Sequence, residues 1–208
     1  GTIQAPDDDD EAAKYELADS LFNSAGLKWY EISNWARTGF ESQHNLGYWK
    51  NIDWAGIGPG AHSHYNSVSG ISKQSMDDCA VLADSSKFYN LRSWDILHPK
   101  RWAQAINVGN VPWQNYECIN SEDALIEEVM LGLRIREGLS IDELCEKMRK
   151  ANREFDNSYL QKVLIEVCKE DLAVLNKNRI AATRKGRLLN DLLIERIVDA
   201  CQNGLVMC

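Results

Sequence analysis

His44, Tyr48 and Trp49 fall together in the six-residue block HNLGYW. Imidazole is the commonest metal-binding side chain, and aromatic rings stack on flat ligands, so this trio with Asn45 could surround an iron-bearing macrocycle. The plainer alternative is a His–Asn hydrogen-bonded pair that fixes a loop. A second block, GIGPGAHS at Gly56–Ser63, carries Ala61 and His62 behind three glycines and Pro59. Glycine lets the backbone approach a ligand closely, and proline stiffens the turn. Both blocks lie within residues 27–65, which hold three of the four histidines, four of the seven tryptophans and five of the thirteen glycines. Such residues are costly as filler, so a ligand surface is the first expectation; a Trp-rich core strand with a tight turn is the other.

The elements that must position these residues are partly periodic. Pro6 and Asp7–Asp10 open a helix, since carboxylates favour its positive end; the run is a solvated helix start rather than a metal site. Tyr15, Ala18, Leu21, Phe22 and Ala25 form its expected apolar stripe, and Gly26 stops it. Leu27–Ser33 reads as a buried strand, so helix and strand make one α/β unit. Glu31, Ser33, Asn34 and Arg37 stand at or just after the C-terminal end of this strand. Trp54–Gly58 is expected as the next strand, Asn66–Lys87 as a polar insertion, and Phe88–Leu91 as a short strand. A helix should start at Pro99, with His98 as a cap or loop residue, and end near Gly109. Asn110–Asn120 reads as a linker.

From Ser121 onward the chain becomes helical and charged, which places a domain boundary there, giving 1–120 and 121–208. Ser121 is the expected cap of a helix striped with Leu125, Ile126, Val129, Met130 and Leu133, ended by Gly138. Ser140 and Glu143 form a capping box for the next helix. Leu160, Val163, Leu164 and Val167 mark a third. Leu172–Leu175 and Ile180–Thr183 read as a hairpin, and Leu188, Leu189, Leu192, Leu193 and Ile197 as a last helix. Three helices followed by a hairpin predict a winged-helix-like bundle.

Composition excludes several classes. The 208 residues carry a net charge of −8 with scattered basic residues, which argues against nucleic acid as a partner. No apolar run approaches a bilayer-spanning length, and the acidic start GTIQAPDDDD is unlike a secretory signal, so a cytoplasmic protein is expected. The six cysteines (Cys79, Cys118, Cys145, Cys168, Cys201, Cys208) show no metal-binding spacing and are expected as free thiols, with Cys145 and Cys168 as small core residues.

YEISNWAR at Tyr30–Arg37, HNLGYW and GIGPGAHS resemble, in order and spacing, the sequence blocks of the HemN/HemW family of radical S-adenosylmethionine (SAM) proteins. MLGLRIREGLS and TRKGRLLND resemble that family's C-terminal domain, and the likeness runs to about Glu195. The resemblance implies an α/β fold: the C-terminal part of a radical SAM barrel of partial TIM type, then a mostly helical winged-helix-like domain. HN-x-x-YW resembles the HemW branch, the haem chaperones, which implies His44, Asn45, Tyr48 and Trp49 as haem candidates, with His44 as the axial-ligand candidate. Ala61 and His62 resemble SAM-contacting positions; the oxidase branch has an aliphatic residue where His62 aligns, which implies a backbone or packing contact there. The full-length proteins hold a 4Fe–4S cluster in a C-x-x-x-C-x-x-C motif, absent from this chain, so no metal site is expected in it. The expectation is the C-terminal half of a longer protein, inactive in radical chemistry alone and self-associating through exposed strand edges. Its function would be haem transfer to an acceptor protein. The alternative is an oxygen-independent coproporphyrinogen III oxidase acting on porphyrinogen.

Overall fold

The structure, a computed structural model, describes residues 7–66, 90–150 and 157–203. Cys79, Cys208 and nearly all of the expected insertion at 66–87 lie outside them. The order of elements is α1 (Asp8–Ser24), β1 (Lys28–Glu31), β2 (Asn34–Ala36), α2 (Gln43–Trp49), β3 (His62–Tyr65), β4 (Asn90–Asp95), α3 (Pro99–Asn107) and β5 (Trp113–Ile119). Then come α4 (Ser121–Gly132), β6 (Leu139–Ser140), α5 (Ile141–Lys150), α6 (Asn157–Lys169), β7 (Ala173–Asn176), β8 (Arg179–Ala182), α7 (Arg184–Leu188) and α8 (Asn190–Asn203). The fold is mixed α/β, and every described strand pairing is antiparallel. The chain divides into two compact units, one of residues 1–50, 129–146 and 154–208, the other of 51–128 and 147–153.

In the first unit, α1 starts where its composition dictates: the Asp7 carboxylate accepts a hydrogen bond from the Asp10 N–H at 2.9 Å, and four further acidic residues occupy the first turn. Its expected apolar stripe is not the buried face. Leu21 is 61 % exposed and Phe22 38 %, whereas Asp19, a charged residue, is 4 % exposed. The reason is a cage of donors. Arg187 reaches the two Asp19 oxygens at 3.2 and 3.3 Å, Arg184 Nε approaches at 3.3 Å, and Trp35 Nε1 donates at 2.8 Å. Burial by itself would raise the Asp19 pKa. The hydrogen bonds from Arg187 and Trp35 and the two guanidinium charges outweigh it and hold the carboxyl below its usual value.

The strand expected over Leu27–Ser33 is shorter and turns back at once, so that β1 pairs with β2. On its other side β1 pairs with the segment 134–137: Ile32 N–H donates to the Arg134 carbonyl at 3.1 Å and Arg136 N–H to that of Tyr30 at 2.9 Å. The C-terminal core is as the periodicity predicts. Leu160, Val163, Leu164 and Val167 of α6 are buried, as are Leu193 and Ile197 of α8, against which α6 packs. The expected hairpin is β7–β8, joined to β6 in the order β6-β8-β7. Leu188, Leu189 and Leu192 stay partly exposed, and the helix expected as continuous breaks at Leu189. Gly186 of α7 is obligatory: a Cβ there would stand 1.7 Å from the Leu172 carbonyl oxygen.

The second unit is built on the sheet β3-β4-β5. Two expectations are corrected. The segment expected as a strand at Trp54–Gly58 is irregular apart from a single bridge from Trp54 to His64, and the strand is His62–Tyr65. The expected linker at 110–120 contains β5, whose sparse apolar residues suit the edge of a sheet. The cap of α4 is the Asn120 side chain, accepting from the Glu122 and Asp123 N–H groups at 2.9 Å each, rather than Ser121. The helix ends at Gly132 rather than at Gly138.

Asp19→Asn is expected to cost about 3 kcal/mol, because it leaves two guanidiniums under-compensated, one of them nearly buried. Urea unfolding measures it. The sign of the pH effect follows from the depressed pKa: the contribution is complete above the unfolded carboxylate value of about 3.9 and is lost as pH falls through the lower folded value. The variant should flatten that acid limb.

Candidate functional site

The block HNLGYW is not a loop but the helix α2. Ser42 caps it, accepting from the Asn45 N–H at 3.3 Å. Helical spacing sorts the four residues into two stripes. His44 and Tyr48 share one, are both exposed, and touch edge to face with ring centroids 4.7 Å apart. Asn45 and Trp49 share the other and are half-buried. Asn45 does not pair with His44. Its Nδ2 donates to Glu31 Oε1 at 3.3 Å, and Asn34 Nδ2 donates to the same oxygen at 2.6 Å. Glu31 is 2 % exposed. The YEISNW and HNLGYW blocks therefore meet at one buried carboxylate, which satisfies the rule that a buried charge must be hydrogen-bonded.

The segment 134–137 grips α2 from the other end. Arg134 stands over the Trp49 ring at 5.9 Å. Arg136 Nη2 donates to Glu41 at 3.0 Å just before the helix, and Lys50 Nζ donates to Glu137 at 2.9 Å just after it. In sequence, LRIREGL carries only a family likeness. Nothing in its periodicity shows that its charged side chains reach back to α2.

Beside this lies an open pocket of about 970 Å³ in the same unit, lined among others by Trp29, Leu133, Arg134, Asn190 and Leu192. Arg187 lies 4.5 Å over the Trp29 ring while it holds Asp19. Trp29 Nε1 and the Tyr15 hydroxyl both donate to the Ile32 carbonyl, at 2.8 and 2.9 Å. Burial raises the Tyr15 pKa, against the lowering effect of Arg187. Among the described residues, Ser33 and Arg37, at the same strand end, make no side-chain hydrogen bond or ion pair with Glu31 or α2.

Ala61 and His62 lie in the second unit, and the α2 residues in the first. The Ala61 N–H donates to the Gly58 carbonyl at 3.0 Å, and its own carbonyl accepts from Asp95 at 2.8 Å. The His62 ring is exposed and stacks on Trp94 at 5.9 Å. Gly56 has no room for a side chain: a Cβ would meet the His62 carbonyl oxygen at 2.0 Å. His64, next but one, is buried. It stacks on Trp54, meets the Asn66 side chain at 3.4 Å, and has its pKa lowered chiefly by burial.

The donor set does not fit an iron–sulfur cluster. Among the described residues no three His, Cys, Asp or Glu side chains gather as metal ligands, and the four described cysteines form no disulfide with one another. Cys145 and Cys201 are buried, and burial together with Cys145 pushes the Cys201 thiol up to about 12. Cys168 is only half-buried.

With this geometry established, comparison with known proteins is decisive. Residues 119–189 match the HemN C-terminal domain family. Haem chaperone HemW of Mycobacterium tuberculosis is 32 % identical over 198 residues, 95 % of this chain and 42 % of its own. The chain belongs to the HemN/HemW family. HemW of Bacillus subtilis is 27 % identical over 92 % of this chain and 43 % of its own. The solved structure of the radical SAM enzyme coproporphyrinogen III oxidase (HemN) from Escherichia coli shares the fold at a TM-score of 0.53. It is 14 % identical, covering 94 % of this chain and 41 % of that one. The chain thus spans under half the length of the HemN/HemW relatives it matches, and its fold corresponds to a part of theirs.

The His64 environment yields a pH effect. Its folded pKa lies below the unfolded value of about 6.5, so the stability of the neutral ring is complete above that value and is lost as pH falls through the folded one. Urea midpoints should fall on acidification from pH 7 to 5, and His64→Gln should flatten the slope. Equal slopes would assign the effect elsewhere.

Proposed function

We propose that this chain is the haem-binding part of a HemW-type haem chaperone and that α2 carries the iron ligand. The observation that supports it most is the presentation of His44. Its imidazole is exposed and edge-on to Tyr48, while the adjacent stripe of the same helix is anchored to Glu31 and Arg134. A ligand side chain on a rigid element loses little freedom on binding. The naming of the HemW relatives as haem chaperones agrees with this reading.

On the same reading haem is cargo, and the acceptor is another protein. A family-domain boundary near residue 120 is supported by the start of the HemN C-terminal match at residue 119, although the compact units of the fold interleave across it. The four described thiols suit a reducing, cytoplasmic setting. SAM contact in the second unit would be limited to packing. The turn's own hydrogen bonds occupy the Ala61 amide and carbonyl, which leaves the His62–Trp94 stack as the surface on offer. The 4Fe–4S cluster would belong to the remainder of a full-length relative.

Oxygen-independent coproporphyrinogen III oxidase is the second reading, favoured by the fold shared with HemN. Anaerobic conversion of coproporphyrinogen by the full-length protein would support it and would end the chaperone as the sole function.

Hemin titration followed by absorbance tests the first reading. The wild type should bind saturably with a sharpened Soret band, and His44→Ala should lose that band while keeping its far-UV circular dichroism. An unchanged band in the variant removes His44 as the ligand. We further propose that the chain self-associates, given the exposed Leu17 and Leu21 of α1 (60 % and 61 %). Light scattering should report more than a monomer, and a clean monomer would refute this.

A further inference from the structure

We propose that Arg134, which stands over Trp49, is the carboxylate-binding residue of the haem site, receiving a propionate in the pocket that Arg134 lines. The proposal rests on the haem reading above and adds the group that recognises the ligand's acidic edge. Arg134 meets three requirements. It is next to the candidate ligand helix, because its guanidinium lies 5.9 Å from the Trp49 ring centre. Its side chain is 29 % exposed, accessible but largely desolvated. Its acidic neighbour Asp191 is a weak competitor, 3.9 Å away and 96 % exposed.

The pocket around it is shaped for an amphipathic ligand. Leu133, Leu192 and the Trp29 face supply apolar wall. The first turn of α8, Asn190–Leu192, lines the same pocket and turns a helix's positive end toward it. Asn190 Oδ1 is buried there without a hydrogen-bond partner. Rotated about its last bond, that amide would offer its N–H groups to a carboxylate. Arg187 is committed to Asp19. Asp8, Asp9 and Glu11 also line the pocket, and they repel an anion from their side. Five residues of helix separate His44 from Trp49, about 7.5 Å of rise.

The test compares two probes, hemin and hemin dimethyl ester, whose propionates are blocked, on wild type, Arg134→Met and Asp191→Asn. Wild type should bind hemin about tenfold tighter relative to the ester than Arg134→Met does, the size of one charge-assisted hydrogen bond. Asp191→Asn should tighten hemin roughly two- to threefold, in line with loss of an exposed competing charge. This second variant alters only an exposed side chain and guards against misfolding of the first. Equal hemin-to-ester ratios in wild type and Arg134→Met, with both still binding hemin, overturn the role of Arg134 and leave the haem reading intact. No hemin binding by wild type overturns both.

Discussion

The pairing of β1 with the segment 134–137 is the constraint on which the candidate site depends. Two backbone hydrogen bonds, Ile32 to Arg134 and Arg136 to Tyr30, bring together stretches about a hundred residues apart in the chain. The entropy of closing so long a loop grows only logarithmically with length, so a few well-placed contacts can sustain it. The side chains of that segment then do a second job. Arg134, Arg136 and Glu137 each hold a residue in or beside α2. The C-terminal family domain is therefore more than an appendage, because its first turn after α4 forms one wall of the site.

A second long-range tie works by charge. Asp19 is buried at the cost of desolvation, and it is compensated by Arg187, Arg184 and Trp35. A buried ion pair seldom adds net stability over an apolar pair of the same shape. Its gain here is geometric. Bidentate contact with Asp19 fixes the plane of Arg187, and that plane lies against Trp29. Trp29 and Tyr15 in turn share the Ile32 carbonyl, whose N–H bonds Arg134. The salt bridge and the β1 pairing thus converge on one residue of backbone.

Where periodicity governs, the fold was legible in sequence. The stripe of α6, the β7–β8 hairpin, the start of α1 and the proline-led α3 all sit where pattern and capping chemistry put them. The legible parts of the site were residue types and blocks, not their arrangement. Helix α2 has seven residues, a glycine inside and two aromatic residues at its end, too short for a 3.6-residue period to register. Its stability comes from the Ser42 cap and from Glu31, Arg134 and Arg136, contacts that no local window contains. Strand β5 hid for the opposite reason: at a sheet edge it needs few apolar residues, so it read as linker. On α1 the expected rule failed outright, because a carboxylate with three donors outcompeted the leucines for burial.

The four histidines differ in environment, not in residue type. His64 is buried, its pKa is lowered by burial, and its ring meets Trp54 and Asn66. Charging or ligating it would first require breaking that packing. His62 lies flat on Trp94, with its neighbour's backbone tied into the turn. His98 precedes α3 at the cap position but makes no side-chain capping bond. His44 alone of these sits within a helix whose inner stripe is clamped at both ends while its own stripe faces solvent. Tyr48 meets it edge to face. An imidazole that is oriented, exposed and backed by a fixed helix has already met the entropic cost that a ligand would otherwise impose. That physical distinction, rather than the motif alone, is what favours His44 over the other three.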